Sequence, residues 1–81
     1  MEPYQNRVVD EAADLRDRIQ KLSAFILTGA FSGVAVEEQS RMRIQLSVMQ
    51  ALLLVLNERL AYFERLNIEV GKLDIGVGSD T

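Results

Sequence analysis

Met42, Leu46, Met49, Leu53, Leu56, Leu60 and Phe63 follow one another at steps of four and three, the spacing that keeps side chains on one stripe of an α-helix. A second set, Val48, Leu52, Val55 and Tyr62, repeats beside it, and Ala51 and Leu54 fill most of the remaining circumference. A helix that is apolar on nearly every side must be covered on more than one of them. The chain has 81 residues, so it contains little to cover that helix with. The pattern therefore predicts a helical homo-oligomer, with function placed at its subunit interfaces.

The same alternation of four and three links Val8, Ala12, Leu15, Ile19, Leu22 and Ile26. Pro3 suits a first helical turn, where its missing N–H has no partner to lose, so the first helix is expected from Tyr4 to Thr28. Its other faces carry Arg7 with Glu11, Asp14 with Arg18 and Asp17 with Lys21, each at i, i+4, which reads as a solvated face. Gly29 stands where a left-handed C-terminal cap is usual. The connector from Gly29 to Ala35 holds the lone large apolar residue Phe31, suited to plug the end of a hairpin. A second helix then runs from Val36 to Arg65 or Leu66, with Glu37 and Glu38 complementing the positive end of its dipole. After Asn67, Ile68, Val70, Leu73, Ile75 and Val77 lie among Gly71, Gly76 and Gly78, which predicts an extended arm or a small hairpin, either lying across a neighbouring subunit or frayed. The expected fold is all-α, an antiparallel two-helix hairpin over residues 1–66, with or without a short N-terminal helical segment, and with a C-terminal arm or flexible tail at 67–81.

Composition sharpens this picture. With burial returning about 25 cal/mol per Å² and ordering costing about 1.5 kcal/mol per residue, a lone hairpin comes out near zero. Cysteine and histidine are absent, which removes disulfides and the usual zinc and thiolate sites. Partners remain, and a hydrophobic content of 48% agrees with burial between subunits. A net charge of -3 argues against a broad footprint on duplex nucleic acid or on an anionic membrane. The longest uninterrupted apolar run, Ala51 to Leu56, is far short of the about 20 residues that cross a bilayer. No signal peptide is visible at the N-terminus, and a cytosolic location is expected.

Enzyme signatures are missing. Asp10, Glu11, Asp14 and Asp17 have basic neighbours at helical spacing, Lys21 and Ser23 do not face each other on a helix, and Thr28 to Gly33 lacks the ending of a phosphate loop. The expectation is a non-enzyme without cofactor or metal. Binding chemistry is better represented. Tyr4 lies outside the apolar seam and could staple onto a neighbouring subunit or stack on a flat ligand. Lys21, Ser23 and Phe25 offer a cation, a hydroxyl and an aromatic that could meet the phosphate and base of a nucleotide, although Lys21 could equally serve Asp17. Arg59 takes a position of the second stripe between Val55 and Tyr62. A charge there calls for an acidic group of another subunit or an anionic ligand.

The succession Pro3-Tyr4-Gln5-Asn6-Arg7-Val8-Val9, Lys21-Leu22-Ser23-Ala24-Phe25-Ile26, Glu37-Glu38-Gln39, Gln45-Leu46 and Leu56-Asn57-Glu58-Arg59-Leu60 resembles a family of small phage-encoded helical proteins. Some of its members are anti-CBASS sponges that sequester cyclic oligonucleotide signals. The resemblance covers Pro3 to about Phe63. It implies a homohexamer of antiparallel helices, acting in the host cytoplasm, that binds cyclic dinucleotides between paired protomers and cyclic trinucleotides at separate sites without cleaving either. By that resemblance Tyr4 would stack on the dinucleotide and Lys21 contact its charge, with Ser23 and Phe25 beside them, while Arg59, and next Arg65, would serve the trinucleotide. The alternative is a phage or bacterial interaction module that binds a host protein through the apolar surface of the second helix. A structural oligomer without ligand is a third reading.

Overall fold

The computed structural model describes the backbone of residues 2–80 and the side chains of residues 2–67. Helix α1 spans Pro3–Ile26, a short helix α2 spans Gly29–Ser32, and helix α3 spans Val36–Asp80. No strand occurs among the described residues. Helix α1 runs antiparallel to α3, with Tyr4 meeting Phe63 and Arg16 reaching Asn57.

The two heptad-like seams make the core. Val8, Ala12 and Leu15 of α1 are buried against Leu56 and Phe63 of α3, and Ile19, Met49, Leu53 and Leu60 pack around them. Pro3 opens α1, and the Gln5 side chain bends back so that its Oε1 accepts from the Glu2 N–H at 2.9 Å. Gln5 is thereby buried with its carbonyl paired, which removes the cost of an orphaned polar group. Of the three ion pairs expected on α1, Asp14 with Arg18 and Asp17 with Lys21 form at 3.0 and 2.9 Å, and Glu38 with Arg41 adds a third at 2.8 Å.

The connector differs from expectation. Helix α1 stops at Ile26, where the Thr28 hydroxyl donates to the Phe25 carbonyl at 2.6 Å and Thr28 itself turns extended. Gly29 is therefore not a left-handed cap; it opens α2, and neither it nor Gly33 has a positive φ. The short extra helix of this fold thus lies in the connector and not at the N-terminus. Phe31 on α2 is buried and closes the end of the hairpin, as its isolation among small residues predicts.

The second correction concerns the tail. Helix α3 starts at Val36 as expected but continues to Asp80, replacing the arm or small hairpin anticipated after Asn67. No proline interrupts that stretch, and an interior glycine costs a helix about 1 kcal/mol without forbidding it. The anticipated contact of this segment with a neighbouring subunit lies outside the described side chains.

On a single hairpin the second stripe of α3 is uncovered. Ile44, Val48, Leu52, Leu54, Val55 and Tyr62 are all exposed, Val48 at 62%. By length and composition the segment Val36–Asn67 also meets the requirement for a membrane-crossing helix, which the shortness of its longest apolar run conceals.

Candidate functional site

The residues singled out from sequence fall at opposite ends of the hairpin. Tyr4 sits at the open end, where the edge of its ring meets Phe63 at 5.5 Å and 87°. Phe63 is buried, so it holds Tyr4 firmly, while Tyr4 stays 48% exposed and keeps part of its ring free. The Arg59 guanidinium lies over the same Phe63 ring at 5.9 Å. Nearly two turns further on, Arg65 lies over Tyr62 at 6.0 Å, and Tyr62 tilts against Phe63 at 6.4 Å. The open end is thus an aromatic cluster with two guanidinium groups on it. Contacts of this kind contribute about 0.5–1 kcal/mol each at exposed positions, enough to orient a side chain.

Lys21, Ser23 and Phe25 sit at the closed end. Tyr4 and Lys21 are 21 − 4 = 17 positions apart on α1, about 25 Å at 1.5 Å per residue. The Lys21 ammonium is exposed and holds Asp17, so the pairing read from spacing is made in this structure. Ser23 and Phe25 are half-buried. Phe25 meets Phe31 edge-on at 6.1 Å and 84°, and the Arg43 guanidinium lies over Phe31 at 5.0 Å.

The family resemblance groups Tyr4 with Lys21 and sets Arg59 apart; on one chain, Tyr4 and Arg59 share a ring and Lys21 is distant. Two contributors were missed. Arg43 gives no periodic signal, because its role depends on Phe31 folding back from the connector. Gln39 stands in the sequence only as a landmark of the resemblance, yet its Nε2 points at the carbonyls of Val34, Phe31 and Ser32, at 2.8, 3.1 and 3.5 Å. The Phe31 and Ser32 carbonyls lie in the last turn of α2 and the Val34 carbonyl just beyond it; Phe31 already accepts from the Val34 N–H at 3.0 Å, so the amide supplies partners chiefly to Ser32 and Val34. A glutamine in the first turn of a helix that follows a tight connector was the signal available.

Among the described residues the single hairpin forms no pocket, and no three acidic side chains converge as metal ligands would. Aromatic rings and cations presented on open helix faces define an all-α hairpin. The chain belongs to the Sequestin family, whose model matches residues 2–62, nearly the whole hairpin. No curated protein and no solved structure matches it. Tyr4, Lys21, Ser23, Phe25 and Arg59 fall within the matched stretch, and Arg65 lies just beyond it.

Proposed function

We propose that this chain is a non-enzymatic sequestering protein that takes up cyclic di- and trinucleotides, the signals of host immunity, and so lowers their free concentration. The observation that carries this reading is the Sequestin match over residues 2–62, a family named for sequestration, spanning both ends of the hairpin where aromatic and cationic side chains stand. Aromatic faces stack on bases and guanidinium or ammonium groups pair with phosphates, which is the chemistry a cyclic oligonucleotide needs.

The uncovered stripe of α3 supports assembly as the source of the missing pocket. Between Arg43 and Glu58 lie 57 − 43 = 14 uncharged residues, about 21 Å of helix against a hydrocarbon core of about 30 Å. Gln45, Ser47, Gln50 and Asn57 interrupt them. That length and polarity suit a second copy of the chain better than a bilayer. In an antiparallel pair related by a two-fold axis, the Tyr4 end of one hairpin lies beside the Lys21 end of its partner. Such a pair offers a two-fold ligand the same contacts on both halves. A hexamer in the host cytoplasm is the assembly this reading carries.

Isothermal titration with a panel of cyclic di- and trinucleotides tests it, with Tyr4→Ala and Lys21→Ala as controls. Tight binding, lost in those variants and with nucleotide recovered intact on denaturation, is the expected outcome. No heat across the panel, from a sample that sediments as a folded oligomer, would sink the reading and turn attention to a host-protein partner of α3.

A further inference from the structure

The closed end of the hairpin carries a cation that the proposed function leaves unused. Arg18, Lys21 and Arg41 are each held by a carboxylate within 4 Å, whereas Arg43 has no such partner among the described residues. Its guanidinium instead lies over the Phe31 ring at 5.0 Å, and the Phe31 ring meets Phe25 at 6.1 Å. Phe31 cannot swing away. It is buried, and its own carbonyl is one of those bonded by the Gln39 amide, at 3.1 Å. The guanidinium is therefore pre-positioned at the same end as Lys21, Ser23 and Phe25, with donors that no carboxylate occupies.

Resting on the sequestering function above, we propose that Arg43 is a further phosphate-binding residue of the dinucleotide site, acting from α3 across the Phe31–Phe25 pair. Lys21 must share its charge with Asp17. Arg43 does not, and its planar fork can pair with two oxygens of one phosphate where an ammonium offers a point charge. Stacking on Phe31 leaves the in-plane N–H groups at the guanidinium edge available to an anion. Gln39 is a positioning residue in this arrangement, because it sets the backbone that carries Phe31.

Titration of Arg43→Ala and Arg43→Lys with the cyclic dinucleotide that wild type binds best tests the assignment, alongside a cyclic trinucleotide. Loss of one charge-assisted contact predicts dinucleotide affinity weaker by about ten- to a hundredfold in Arg43→Ala. Arg43→Lys should be intermediate, and trinucleotide affinity should be unchanged in both. Equal weakening for both ligand classes would mean a general loss of structure and would overturn the assignment, as would dinucleotide binding at wild-type strength in Arg43→Ala. Hydrogen exchange on the wild-type complex gives a readout that needs no variant: added protection of residues 25–31 and 43 is expected, and none would also overturn it. Failure of wild type to bind any cyclic nucleotide is a different result, because it removes the sequestering function itself.

Discussion

Gln39 joins, through one amide nitrogen, the Phe31 and Ser32 carbonyls of α2 and the Val34 carbonyl beyond it, and this small device fixes the connector. Replacing it by leucine keeps the volume and removes the donor. A net hydrogen bond contributes about 1 kcal/mol, so Gln39→Leu should lower the unfolding free energy by about that amount in a urea titration. Leu56 is the most deeply buried large side chain, 2% exposed. Truncation there leaves a cavity between α1 and α3, and Leu56→Ala should cost about 2–5 kcal/mol by the same measurement. Asp17→Asn should do almost nothing to stability, less than about 0.5 kcal/mol, because both partners of the Asp17–Lys21 pair face water. At this scale the sequence was readable wherever a residue's role follows from its own helix. Val8, Ala12 and Leu15 announced themselves by spacing, and so did Asp17 with Lys21. Arg43 and Gln39 did not, since both act on a connector whose path no periodicity encodes.

Among elements, the connector gives the sharpest test of backbone geometry. A left-handed Gly29 would resist any side chain, but Gly29 lies in the first turn of α2 with no atom near the place a Cβ would take. Gly29→Ala is therefore expected to raise stability by about 0.4–1 kcal/mol, through reduced freedom of the unfolded chain. A loss of stability in thermal melts would restore the left-handed cap. The start of α3 at Val36 and the core stripe from Met49 to Phe63 were legible in advance, because a heptad-like seam reports which face is buried. The end of α3 was not. Its glycines and β-branched residues weaken helix preference without abolishing it, and local composition alone favoured an arm. The length of α3 beyond the hairpin follows from the backbone only.

For the whole molecule, the exposed stripe of α3 decides what can be stable. Val48 and Val55 are exposed and lie outside the buried cluster, so charging them should leave the hairpin core largely intact. If a second copy covers that stripe, the Val48→Glu, Val55→Glu double variant should sediment as a monomer at concentrations where wild type is an oligomer. It should also lose helical signal on dilution. Wild type that stays monomeric at micromolar concentration would contradict the assembly. The exposed apolar stripe itself could be read from the apolar girth of one helix. How copies meet could not, because surface periodicity fixes faces and leaves register and symmetry open. The separation of Tyr4 from Lys21 along α1 then has a consequence for dose. If the chain sequesters nucleotides as proposed, a lone hairpin holds each half of the contact set at a different end, and capture would obey the mass action of assembly as well as that of ligand. Below the association threshold the molecule would be nearly inert, and above it uptake would climb faster than copy number, making it a sink that switches on with accumulation.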